Sequence, residues 1–194
     1  MSGQKTVTPS AEGLAASVKA SKTRGLPPVE QWNPPFCGDI DMEIRRDGTW
    51  FYEGTPIGRP GLVKLFASIL IREDDTYFLV TPVEKVGIRV QDAPFVAVDF
   101  EASGEGPEQR LSFTTNLGDI TVASQDAPLR FVRDEQTGEP SPYVRVRRNL
   151  EALIDRKSFY RLVDLGVHHN GWFGVWSGGT FFGIIPSDEL PTEA

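Results

Sequence analysis

Apolar and polar positions alternate along much of this chain at the period of two expected for half-buried strands. The clearest case is "CGDIDMEI" (37–44), where Ile40, Met42 and Ile44 fall on one side and Asp39, Asp41 and Glu43 on the other. That pattern predicts a strand with one wet face. Arg46-Asp47-Gly48 then reads as a hairpin turn, because Asp-Gly tolerates positive φ, and "TWFYEG" returns as the partner strand. "DDTYFLV", "EKVGIRV" and "FVAVDF" continue the strand pattern, followed by "RLSFTTN", "DITVA", "PLRFV" and "YVRVR". "SFYRLVD", "GWFGVW" and "TFFGII" close the chain as strands, with Asn170-Gly171 and Gly178-Gly179 as turns.

Helical spacing occurs in three places. Leu14 and Val18 lie four apart among alanines in "AEGLAASVKASK". Pro60, tolerated in a first turn, opens a helix whose apolar stripe is Leu62, Leu65, Phe66, Ile69 and Leu70. "RNLEALIDR" reads as a short helix with Leu150, Leu153 and Ile154 inward. Residues 1 to about 12 are small and polar and read as a mobile tail. "GLPPVEQWNPPFCG" holds four prolines and reads as an extended connector. "RDEQTGEPSP" reads as a polar loop, and "EASGEGPEQ" as a surface loop and the domain boundary. The expected organisation is a tail, helix and connector over 1–35, a first half over 36–105 and a second over 106–190.

A weak internal repeat links the halves. "GDI" stands at 38–40 and 118–120, "IREDDTYFLV" (71–80) resembles "IDRKSFYRLV" (154–163), and "VGI" (86–88) parallels "FGV" (173–175). The order is kept at offsets of 80, 83 and 87, which points to a duplicated strand–helix–strand unit. Halves of this size bury little core alone, so they are expected to pack together, with a cleft between them for a ligand.

Composition narrows the function classes. Hydrophobic residues make up 39% of the 194, with 12 Phe and 4 Trp, enough for a packed core. The net charge of −7 opposes a nucleic-acid partner. The lone Cys37 cannot form an internal disulfide, which fits a reducing compartment. No apolar run approaches the roughly 18 residues of a membrane span, and "MSGQKTVTPSAEG" lacks an apolar signal core. The expectation is a cytoplasmic protein with no nucleic-acid or membrane partner.

Four groups of side chains are candidates for chemistry. Asp39, Asp41 and Glu43 share a strand face and are oxygen ligands suited to Mg²⁺ or Ca²⁺, though a solvated face that discourages edge pairing is the favoured reading. Cys37 with His168 or His169 has no nucleophile signature around it, and a small buried hydrophobe is the expected state of the thiol. The two histidines are adjacent, so on a strand they face opposite ways and chelate poorly. In "YVRVRRN", Tyr143, Arg145 and Arg147 are expected on one strand face, where two guanidiniums and a ring suit a phosphate and a stacked base; Arg148 and Arg156 lie nearby. The rival reading pairs these arginines with acids such as Asp39 and Asp41. "TTN" (114–116) orients a polar ligand or satisfies a turn. Trp32, Trp50 and Tyr52 stack a planar ligand or pack the core. "GEGPEQ" lacks the third glycine of a phosphate-binding fingerprint and reads as surface loop.

From "PPVEQWNPPFCGDIDMEIRRDGTWFYEG" through "FTTNLGD", "PLR", "YVRVRRNLEALIDR" and "FYRLV", the sequence resembles a bacterial family, domain-of-unknown-function family 1285, over roughly residues 27 to 185. The resemblance implies a duplicated, β-rich α+β core. It also implies a C-terminal half superficially like a pleckstrin-homology domain, a curved antiparallel sheet with a helix. No enzyme activity is established for the family. A nucleotide-like ligand between the halves and a role in signal transduction, under oxidative stress, have been suggested for it.

Residues and resemblance together lead to the expectation of a ligand-sensing or signal-transduction module without a resident cofactor. It would bind a small, anionic, nucleotide-like molecule and act on a signalling protein partner. Asp39, Asp41, Trp50, Tyr52 and Arg59 are expected at the ligand from the first half, and Thr115, Asn116, Arg145, Arg147 and Arg156 from the second. Arginines would hold phosphate, aromatics would stack, and carboxylates would take ribose hydroxyls or orient the arginines. The rivals are a metal-assisted phosphohydrolase on Asp39, Asp41 and Glu43, and a protein-interaction scaffold without small ligand.

Overall fold

The computed structural model describes residues 8–21 and 24–191. Most of the expected tail, residues 1–7, lies outside the described residues. The chain divides into two units, Met1–Gln91 and Asp92–Ala194. The division thus precedes "FVAVDF". It does not fall in the expected 101–109 stretch, where the strand Phe95–Ser103 ends and residues 104–109 join two paired strands of the second unit.

In the first unit, helix α1 (Ala11–Ala20) starts where the Ser10 hydroxyl accepts the Gly13 N–H at 3.1 Å, and it buries Leu14 and Val18 on the side facing α2 (Pro60–Ser68). The sheet comprises β1 (Phe36–Ile44), β2 (Trp50–Tyr52), β3 (Thr55–Pro56), β4 (Leu70–Glu73), β5 (Thr76–Val80) and β6 (Lys85–Val90), in the order β3-β2-β1-β6-β5-β4. The acidic strand β1 pairs antiparallel with β2 and parallel with β6, so it is interior and its carboxylates guard no edge. Ile40, Met42 and Ile44 are buried, as their alternation requires. Helix α2 buries Val63, Phe66 and Ala67. Leu62 and Leu65 stay half-buried, because the helix stops at Ser68 and Ile69 and Leu70 enter the core from the following turn and strand.

The second unit repeats the plan. Strands β7 (Phe95–Ser103), β8 (Arg110–Thr115), β9 (Ile120–Val122), β10 (Leu129–Arg133), β11 (Pro140–Arg147) and β12 (Leu150–Ile154) are ordered β10-β11-β12-β7-β8-β9. In both units two three-stranded antiparallel meanders join through one parallel pair, β1–β6 in one and β7–β12 in the other. β1 begins at Phe36 and β7 at Phe95, so the true repeat is about 60 residues, shorter than the spacing of the sequence anchors. The local echoes are Ile40-Asp41-Met42-Glu43 against Val98-Asp99-Phe100-Glu101, and an arginine facing a tyrosine across the fourth and fifth strands (Arg72–Tyr77 and Arg130–Tyr143). "IREDDTYFLV" and "IDRKSFYRLV" are not equivalent: one is the β4–β5 hairpin, the other runs from β12 into a helix.

Residues 150–154 are therefore a strand and not the expected helix, with Leu150, Ala152 and Ile154 buried. The helix, α3 (Arg156–Asp164), occupies the stretch expected as a strand; Asp155 caps it by accepting the Ser158 N–H at 2.8 Å. Strands β13 (Val167–His169), β14 (Trp172–Ser177) and β15 (Thr180–Pro186) form a further antiparallel sheet, turning at Asn170-Gly171 and Gly178-Gly179, all four at positive φ as the turn chemistry requires. The six-stranded sheet curls until the Thr121 hydroxyl of β9 donates to the Arg145 carbonyl of β11 at 3.0 Å. It is curved and followed by a helix, as the resemblance implies, but mixed through β7–β12 and not wholly antiparallel. No helix among the described residues is long and apolar enough to cross a membrane.

Candidate functional site

The wet face of β1 is already paired within its own sheet. Arg89, on the neighbouring β6, reaches Asp41 at 2.6 Å and Glu43 at 3.4 Å, and Gln91 donates to Glu43 at 3.0 Å. The hydrogen bond from Arg89 to Asp41 leads the causes that raise the guanidinium's pKa above its ordinary value. Asp39 stands opposite Gly87, and a Cβ there would sit 2.0 Å from Asp39 Oδ1, so its carboxylate occupies room that only glycine leaves. Among the described residues no three His, Cys, Asp or Glu side chains are grouped to hold a metal ion.

The other first-unit candidates scatter. Trp50 is 1% exposed and stacks on Phe66 at 6.4 Å, so it is core and offers no ring to a ligand. Tyr52 is half-buried opposite Met42, and Arg59 is exposed at the start of α2. Trp32 is half-buried in the segment leading to β1. Cys37 is exposed, its thiol 3.3 Å from the Pro35 carbonyl, and is not the packing residue expected. The histidines on β13 do face opposite ways: His168 meets Ser187 at 2.8 Å, and His169 lies against Trp176 and Phe181.

In the second unit Thr115 and Asn116 build a turn. The Thr115 hydroxyl accepts the Asp119 N–H at 3.1 Å, and Asn116 Oδ1 accepts the Val96 N–H at 3.0 Å. Asp119 links this turn to Arg147, whose Nη1 it receives at 2.6 Å while the guanidinium covers the Phe95 ring at 4.9 Å. Arg156 is exposed on the first turn of α3.

Arg145 and Arg147 do not share a face. A bulge at Val146 leaves Arg145 opposite Glu151 and Arg147 opposite Leu150. Leu150 is fully buried, so Arg147 turns inward, its side chain 13% exposed, while Arg145 stays with Tyr143, Glu151 and Arg130 on the other face. There, Arg130 holds Glu151 through two bonds of 2.9 and 2.6 Å and covers the Tyr143 ring at 4.5 Å; the Tyr143 hydroxyl donates to Asp92 at 2.7 Å. Among the described residues Arg145 has no ion pair or side-chain hydrogen bond, and its Nε is buried without a partner. An unmatched buried donor on a cation is costly, and an anion relieves that cost. Arg130, Glu151 and Asp92 escaped the sequence reading because cross-strand register, which brings them together, has no local signal; Arg130 in "PLRFV" had only its alternation with Leu129 and Phe131.

Fold and site thus describe a β-rich α+β protein of two similar units, each a six-stranded mixed sheet with a helix. The chain belongs to the DUF1285 family: the family's N-terminal domain matches residues 27–93 and its C-terminal domain residues 94–184, a division within two residues of the structural one. The crystal structure of a DUF1285 family protein from Silicibacter pomeroyi DSS-3 is similar at a TM-score of 0.84 and 63% identity, over 91% of this chain and 97% of that one. A second, from Shewanella baltica OS155, matches at a TM-score of 0.51 and 35% identity, over 63% of this chain and 90% of that one. No curated protein matches the chain.

Proposed function

We propose that this protein is a cytoplasmic ligand-sensing or signal-transduction module. It binds a small, nucleotide-like anion without a resident cofactor, and ligand binding alters its contact with a signalling protein. Arg145 receives the anionic group. The observation supporting this reading is the state of Arg145: a cation on a strand paired on both sides, whose Nε is buried and unpartnered, and whose cross-strand acid, Glu151, is held by Arg130. Arg147 is engaged with Asp119 and supports the turn that fixes β8 against β9.

Isothermal calorimetry with a panel of nucleotides tests it. One member of the panel is expected to bind, and Arg145→Ala to weaken it at least about tenfold, the loss of one charge-assisted contact. Absence of binding across the panel, or affinity indifferent to Arg145→Ala, overturns the assignment.

A further inference from the structure

We infer that Arg130 is a positioning residue that holds Arg145 open for an anion by keeping Glu151 away from it, an inference that rests on the anion-binding reading of Arg145. Arg145 and Glu151 stand directly opposite each other on β11 and β12. Such antiparallel partners have Cβ atoms about 4.5–5.5 Å apart, well within reach for a guanidinium and a carboxylate. The pair nevertheless does not form. Both Glu151 oxygens accept from Arg130, one from Nε and one from Nη2, in a bidentate fork. Arg130 is in turn fixed by the Tyr143 ring beneath it, its own cross-strand partner, and Tyr143 is tethered by its hydroxyl to Asp92. Glu151 is 16% exposed, so water screens its charge weakly, and the carboxylate needs a cation nearby. Remove Arg130 and that cation becomes Arg145. Glu151 is then an internal competitor of the ligand, held off only by its bond to Arg130.

The test uses the full-length, ¹⁵N-labelled protein with inorganic pyrophosphate as probe. Affinity is read by calorimetry, and the Arg145 Nε–H resonance by NMR without ligand. Arg130→Met is expected to shift the Arg145 Nε–H resonance and to weaken pyrophosphate binding at least about tenfold, the loss of an Arg–phosphate contact. Arg130→Met with Glu151→Gln is expected to restore both resonance and affinity, which a merely structural role of Arg130 would not do. An unshifted Arg145 resonance in Arg130→Met, or a folded double variant that fails to recover, overturns the inference. Where Arg130→Met does not fold, Arg130→Lys serves: lysine cannot form the fork, so it releases one Glu151 oxygen and gives the same resonance shift in smaller degree; no shift there counts against the inference. Failure of the wild type to bind pyrophosphate would count against the anion reading alone, since the resonance still reports whether Glu151 moves onto Arg145.

Discussion

At the scale of the residue, two arginines that read alike in "YVRVR" have different roles because one extra residue, Val146, interrupts the alternation between them. Strand period assigns Tyr143 and Arg145 to one face correctly; beyond a bulge it assigns the opposite face. Cys37 reversed its expected place, and Trp50 took the packing reading over the ligand-stacking one, for a related reason: burial follows the sheet a residue stands on, and residue type only biases it. Single carboxylates carry a pH prediction. Burial raises the Glu84 pKa above its ordinary value. A raised carboxyl pKa means the folded state holds its proton longer, so stability falls as pH rises through the unfolded and then the folded value. Glu84→Gln should therefore raise the melting temperature at pH 7 and leave it unchanged near about pH 3.5, below the unfolded carboxyl range. An equal effect at both pH values would show that desolvation of the charge is not the cause.

At the scale of the element, the inversion of strand and helix around Asp155 is instructive. Residues 150–154 carry leucines that satisfy helical and strand periods alike, a known ambiguity of short apolar runs. Pairing with β11 on one side and β7 on the other decided for strand. The helix start was nonetheless written locally, in Asp155 as an N-cap residue, with Leu162 buried on the helix it opens. Asp155→Ala should cost about 0.5–2 kcal/mol, the range for a lost N-cap, measured by denaturant titration; Asp155→Asn should recover most of it. A loss confined to salt-sensitive charge effects, with Asn no better than Ala, would argue against the cap.

At the scale of the whole molecule, the organising fact is one topology used twice. At the centre of each six-stranded sheet a parallel pair joins the first and last strands in chain order, β1 with β6 and β7 with β12. Those contacts join residues far apart in sequence, so loop closure precedes most of the reward. Folding is expected on the millisecond-to-second scale typical of high-contact-order β topologies, and not in microseconds. Stopped-flow refolding checks this; a sub-millisecond main phase would mean the two meanders form independently of their parallel seam. The duplication was detectable in sequence, but its register was not. Strand order and turn positions recur while most side chains differ, so short identities such as "GDI" aligned elements that are not equivalent.

The sequence by itself determined most strands, the helices at Ala11 and Pro60, the glycine turns and the family, because each is set by local periodicity, by the backbone freedom of single residues or by a long specific pattern. Only the tertiary structure decided which charges find each other. Arg89 reaches Asp41, Arg147 reaches Asp119, Arg130 takes Glu151, and Arg145 is left without an acid. The physical reason is register: a one-residue slip or bulge exchanges the faces of a strand, and no composition or spacing along a single chain fixes it.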